Sequence, residues 1–140
     1  MRHLRRTERR GQSLVEFALV VPVFLLILGG VIQLGFILWG ANSLNQVVRD
    51  TGRYAATLDC SAAAETAAET QFGVLLADTG GPWSAPTVNV TYTSPTCPED
   101  NSDVVWVEVA ATAQAPIFFP IVPGGGQIGS STTFRVEPQP

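Results

Sequence analysis

The sequence predicts an α+β fold in which a long N-terminal transmembrane helix continues into a small domain, with a second helix and an antiparallel sheet of about three strands. Three observations support this prediction. Residues 17–41 form an uncharged apolar stretch of 25 residues. Apolar residues keep a helical spacing beyond that stretch. The second half of the chain contains short alternating segments bounded by Gly, Pro and Ser, which are typical of strands.

Residues 17–41 have the length and composition of a membrane span. At 1.5 Å per residue, a helix of this length covers about 37 Å, which exceeds the ~30 Å hydrocarbon core of a bilayer. We predict that the span covers about residues 14–41. Pro22 lies near its start and removes a backbone donor, so we expect a kink there. Gln33 carries the single polar side chain of the stretch; it either bonds another helix or faces other protein.

The basic residues before the span predict its orientation. Arginine is the basic residue at positions 2, 5, 6, 9 and 10, all on one side of the apolar stretch. Such a cluster is typical of the cytoplasmic end of a span. We therefore expect a single-pass protein of the cytoplasmic membrane, with its N-terminus in the cytoplasm, its C-terminal domain outside and the lipid bilayer as one partner.

The junction between the basic and apolar segments carries a second signal. Gly11 ends the basic segment, Glu16 and Phe17 open the apolar one, and the run reads GQSLVEFALVVPVFLLIL. This run resembles the class III signal of type IV pilins and is most similar to the TadE-like pseudopilins of the Tad (Flp) pilus system. The resemblance covers residues 11–41 and returns more weakly in STTFRVEP near the C-terminus. It implies a pilin-like domain and cleavage by a prepilin peptidase between Gly11 and Gln12.

The resemblance also implies a function. It indicates a minor pilin-like structural subunit, not an enzyme, that works with the prepilin peptidase, other pilin-like subunits and the Tad assembly machinery, in or beside a pilus. Glu16 and Phe17 would act in assembly. After cleavage, Gln12 would carry a free amine one helical turn from Glu16, so the carboxylate could neutralise its own amine or that of a neighbouring subunit. The alternative is a glutamate at headgroup level without a partner.

Two other kinds of N-terminal segment compete with this interpretation. An uncut signal anchor explains the arginines and the span, but not a carboxylate on the apolar side of the junction. A secretory signal peptide would be shorter and would end at a small-residue site that residues 38–41 do not offer. The alternative function is a single-pass, signal-anchored protein whose extracytoplasmic domain binds a ligand or envelope partner outside any filament.

The chain divides into a basic cytoplasmic leader over residues 1–11, a long helix over 12–58 and an extracytoplasmic domain over 59–140. Beyond the membrane, one helical face is predicted to be buried. Its members are Leu44, Val47, Val48, Thr51, Tyr54, Ala55 and Leu58.

The outer domain is predicted to contain a helix and three strands. The helix covers residues 62–77, with Ser61 or Asp59 as its N-cap. The strands cover residues 87–93, 103–113 and 128–136, each with alternating faces. The segment PIFFPIVP at 116–123 contains too many prolines for a central strand, and buries against the long helix or forms a partner patch.

Cys60 and Cys97 are the two cysteines of the chain. An even number in an exported domain favours a disulfide, although two free thiols are the alternative. The bridge would close a loop in the unfolded chain and so lower its entropy, which would stabilise the domain by about 4 kcal/mol.

The charged residues argue against several functions. The chain has a net charge of −4, and without the leader it keeps three arginines against 11 acids. An acidic surface disfavours nucleic-acid binding. The single histidine, His3, lies in the leader and lysine is absent, so the usual nucleophile–base pairs are missing. We predict no metal or cofactor. A calcium site in the acidic loop at Glu99, Asp100, Asn101 and Asp103, or a hydrolase built on carboxylates alone, is a more distant alternative.

Overall fold

A computed structural model describes residues 5–81, 83–94, 96–97, 104–118 and 126–137, with side chains from residue 11 onward. The chain forms two helices followed by three strands. Their bounds are α1 Arg5–Ala55, α2 Ala62–Asp78, β1 Ser84–Tyr92, β2 Trp106–Gln114 and β3 Gln127–Arg135. The strands form one antiparallel sheet in the order β1-β2-β3. The predicted α+β class, with a long apolar N-terminal helix, a second helix and three antiparallel strands, is confirmed.

Helix α1 is 51 residues long and starts within the basic segment, seven residues before the predicted start at residue 12. It runs without interruption through Pro22. It ends at Ala55 and not at 58, because the hydrogen bonds tighten there: the amides of Thr57 and Leu58 donate to the carbonyls three residues earlier. The hydroxyl of Thr57 also donates to the Tyr54 carbonyl, at 2.7 Å.

The second half of α1 packs under the domain. Five of the seven residues predicted on its inner face are buried, namely Leu44, Val47, Val48, Thr51 and Ala55. Leu58 is half-buried against this core. The prediction for Tyr54 is wrong, since its side chain is 39% exposed. Gly52 and Ala56 are buried as well. The ring of Phe134 on β3 lies directly over Gly52.

Helix α2 is predicted almost to the residue. Ser61 is its N-cap, with a hydroxyl that accepts the Ala64 amide at 3.2 Å. Ala64, Ala68, Phe72 and Leu76 recur every four residues and form its buried face. The helix ends at Asp78, one residue later than predicted, and Gly80 follows with a φ of +62°.

The inner face of the sheet covers both helices. Val105, Val107 and Val109 point inward on and before β2, while Trp106 and Glu108 point outward, as their alternation predicts. α1 packs against β2 and β3, whereas α2 packs against β1 and α1. The core therefore lies between one layer of helices and one layer of strands.

Strand β1 begins at Ser84, three residues before the predicted start. A register shift between Ser84 and Thr87 lets the strand pair with Gln114 at its beginning, and Ala85 adopts a φ of +46° there. Pro86 lies inside this strand, which is possible because β1 is at the edge of the sheet. The loop after β2 is closed by the Ala115 amide, which donates to the Gly126 carbonyl at 3.0 Å.

Candidate functional site

The first half of α1 presents apolar side chains on all sides. Every Leu, Ile, Val and Phe from residue 14 to residue 34 is 44–70% exposed, except the half-buried Val21. Within the described residues, one helix is long and apolar enough to cross a membrane, and its most apolar window is almost wholly uncovered by the rest of the chain. A helix in the core of a soluble domain would be covered, so this segment could span a bilayer.

The predicted processing and assembly residues lie together on the first turns of this exposed segment. Gly11 and Gln12 are helical and exposed. The side-chain amide of Gln12 donates to a carboxylate oxygen of Glu16 at 3.3 Å. The two residues therefore share a helix face, as their spacing predicts. Phe17 follows and is 68% exposed. The cleavage site, the assembly role and the kink at Pro22 remain predictions.

Gln33 interrupts the apolar surface and faces the chain's own domain. Its side chain is 1% exposed. Its amide nitrogen donates to the Pro116 carbonyl at 2.8 Å, and its oxygen accepts from the Phe118 amide, also at 2.8 Å. Of the two alternatives for this residue, the structure therefore favours a polar side chain that faces other protein, here the start of the 116–123 segment.

Two pairs of aromatic rings join the helix to the domain within two turns of Gln33. The rings of Phe36 and Phe118 are 5.5 Å apart, and those of Trp39 and Trp83 are 6.1 Å apart. We call Phe36, Trp39, Trp83 and Phe118 the aromatic collar. Phe118 is 60% exposed and Trp39 is 44% exposed. The collar marks the level on α1 where the bare apolar helix meets the domain.

Cys60 and Cys97 form a disulfide, with 5.0 Å between their Cα atoms. The bridge joins the turn between α1 and α2 to the connection between β1 and β2. It thereby ties the helical layer to the sheet at the end of the domain farthest along α1 from the apolar segment.

Tyr92 is a structural residue whose role the sequence analysis missed. It is buried, its hydroxyl donates to the Ala55 carbonyl at 2.7 Å, and its amide donates to Glu65 at 3.4 Å. Burial, with the nearby carboxylates of Asp59 and Glu65, raises the pKa of Tyr92 to about 12. The alternation of the strand predicts that Tyr92 shares a face with Val88 and Val90, but its hydroxyl partner is distant in the chain and has no local signal.

Other surfaces bring few reactive groups together. A shallow depression on the outer face of the sheet is lined by small and hydroxyl side chains, and a groove between α2 and β1 contains one carboxylate, Glu69. The described part of the chain contains no group of three or more His, Cys, Asp or Glu placed to hold a metal. The acidic loop at 99–103 lies outside the described residues.

Comparisons with known proteins connect α1 to one family. Residues 11–53 match the family model described as TadE-like protein. No curated protein and no solved structure matches the chain. The matched residues cover just under a third of the chain, and they are the exposed apolar half of α1 together with most of the half that packs under the domain. The outer domain and the STTFRVEP segment lie beyond the match. Over residues 11–53, the helix that carries this candidate site is similar to the corresponding segment of the TadE-like family.

Proposed function

We propose that the protein is a minor pilin-like structural subunit, a pseudopilin, for the biogenesis of a Tad (Flp) pilus or secretion filament. One observation supports this most: the TadE-like helix is divided into a bare apolar half and a half that packs under a small domain. An apolar helix surface of this size requires lipid or other apolar helices around it. Lipid surrounds this helix while the subunit is held in the membrane, and the apolar helices of other subunits surround it after assembly.

In this proposal the basic leader over residues 1–11 stays in the cytoplasm, and a prepilin peptidase cleaves between Gly11 and Gln12. A Cβ atom at Gly11 would meet no other atom within 4 Å. Nothing in the described fold therefore needs glycine at this position, and the requirement would come from the peptidase.

Glu16 then serves assembly. The side chains of Gln12 and Glu16 are in contact across one helical turn, so the two residues share a helix face. In this proposal the carboxylate pairs with the amine that cleavage would create at Gln12. In an apolar bundle an unpaired charge is costly, so pairing between subunits would set their relative height. Other pilin-like subunits and the Tad machinery are the partners, and the bilayer holds the subunit before assembly.

Mass spectrometry of the protein from cells that contain the matching peptidase tests this proposal. We expect the wild-type chain to start at Gln12 and Gly11→Ala to remain uncut. Gly30→Ala is the matched control, because Gly30 also lies on α1 with open space around its Cα, and it should be cut normally. An intact wild-type chain would contradict the proposal and favour the signal-anchored binding protein.

A further inference from the structure

We propose that residues 116–118 and the aromatic collar enter the outer leaflet of the membrane that α1 crosses. The domain is then partly embedded in the bilayer and is not held above it by an uncovered segment of α1. The inference rests on the proposed membrane span of α1. It adds a second membrane contact, made by the connection between β2 and β3. The occupant of this apolar surface is lipid at the boundary between headgroups and acyl chains.

The position of the collar along α1 supports this placement. About 20 helical residues cross the ~30 Å hydrocarbon core, and 20 residues counted from Phe17 end at Phe36. At 1.5 Å per residue, Gln33 then lies about 4.5 Å inside the outer boundary, and Trp39 lies about 4.5 Å outside it. The contacts between the domain and Gln33 therefore reach below the membrane surface.

The hydrogen bonds of Gln33 satisfy one acceptor and one donor of the irregular backbone at this depth. Irregular backbone within a bilayer is stable only when protein groups satisfy its donors and acceptors. Gln33 supplies both: it donates to the Pro116 carbonyl and accepts from the Phe118 amide, each at 2.8 Å. Pro116 has no amide proton to satisfy. A glutamine in an otherwise apolar stretch thus has a specific partner at this level.

The side chains at this level match the chemistry of a membrane interface. Ile117 and Phe118 point away from the core and are 42% and 60% exposed. Tryptophans concentrate at the headgroup level of bilayers, and Trp39 pairs there with Trp83. α1 has no charged residue between Glu16 and Arg49. The apolar surface of the loop is thus continuous with the apolar surface of the span.

Spin labelling of the full chain in phosphatidylcholine vesicles tests the proposal. A nitroxide is attached to Phe118→Cys, to Leu19→Cys within the span and to Ser131→Cys on the outer face of β3. The native cysteines are paired, so the label goes to the introduced thiol. Oxygen concentrates in lipid and a nickel chelate stays in water. We expect the ratio of oxygen to nickel collisions at 118 to be several times that at 131 and close to that at 19.

Each other result overturns the placement in a recognisable way. Nickel access at 118 equal to that at 131, with a lipid-like value at 19, would remove the loop from the membrane but leave the anchor intact. Nickel access at 19 as well would contradict the span itself. Protection of 118 from both reagents would indicate a protein partner. Ile117→Cys repeats the measurement without removing the Phe118 ring from Phe36.

Discussion

The hydroxyl of Tyr92 at the end of β1 donates a 2.7 Å hydrogen bond to the carbonyl of Ala55 at the end of α1. The long helix and the sheet are thus joined at the point where each element stops. The Ala55 carbonyl also accepts the Leu58 amide within the tightened last turn. The bond therefore holds the end of α1 in one position against the sheet.

Tyr92→Phe should lower the free energy of unfolding by about 1 kcal/mol, because the ring stays buried and one neutral hydrogen bond is lost. The native pKa of Tyr92 is raised to about 12, above the unfolded value near 10. Stability from this shift is complete below pH 10 and is lost as the pH rises through 12. Urea unfolding in detergent should therefore show a steeper loss for wild type than for Tyr92→Phe over this range. Equal slopes would contradict the assignment.

Gly52→Ala should destabilise the domain, because a Cβ atom at this position would lie 2.5 Å from the ring of Phe134. Overpacking of this kind costs about 1–3 kcal/mol. Gly73→Ala on α2 is the matched control: a Cβ there meets nothing within 4 Å, and alanine favours a helix by about 0.5–1 kcal/mol over glycine. Thermal unfolding should move the two melting temperatures in opposite directions. A stabilised Gly52→Ala would show that β3 does not press on α1 here.

Thr51→Val should stabilise the protein. The Thr51 hydroxyl is buried on α1 and has no hydrogen-bond partner among the described residues. Valine has a similar shape and removes this desolvated group, so we expect a gain of about 1 kcal/mol. Thr66→Val is the comparison, since the Thr66 hydroxyl is exposed and donates to the Ala62 carbonyl. Denaturant titration of both variants measures the difference, and a loss of stability in Thr51→Val would point to a partner for the hydroxyl.

Cys60→Ser should cost about 4 kcal/mol, the chain-entropy value for a loop of this length. Cys97→Ser should have a similar effect, and the double variant should lose no more than either single one. Alkylation of the folded wild-type protein without reductant provides the direct check. Two modified thiols on folded protein would exclude the bridge.

Glu16→Ala should leave cleavage and membrane insertion near normal but reduce incorporation into a pilus by roughly a hundredfold or more, as expected when one side of a desolvated ion pair is removed. Glu16→Gln keeps the shape and should fail almost as badly, because the negative charge is what the amine requires. A complementation assay for pilus assembly, with cleavage followed in the same cells, measures both. A cut, inserted and fully competent Glu16→Ala would refute the pairing.

Local patterns were sufficient where burial follows chain periodicity. The alternation of Val105, Val107 and Val109 predicts that they share one face of a strand, and a cap at Ser61 or Asp59 predicts the start of α2. In both cases the deciding information lies within a few residues of the chain. This is why the class and the order of the elements could be predicted from sequence.

Predictions failed where a distant partner decides the outcome. Gly52 is buried because Phe134 from the last strand covers it. The start of β1 depends on its pairing with Gln114. Gln33 finds its partners at Pro116 and Phe118, more than 80 positions later. No spacing within α1 contains that information.

The unbroken course of α1 has a mechanical consequence. A helix turns by about 100° per residue. The number of residues between the apolar half and the packed half therefore sets the angle around the helix axis at which the domain projects. When a neighbouring helix packs against one side of the apolar half, the direction in which the outer face of the sheet points relative to that neighbour is fixed as well. One residue inserted between Ile32 and Gln33 would keep both halves intact, yet it would swing the domain by more than a quarter turn relative to its neighbours.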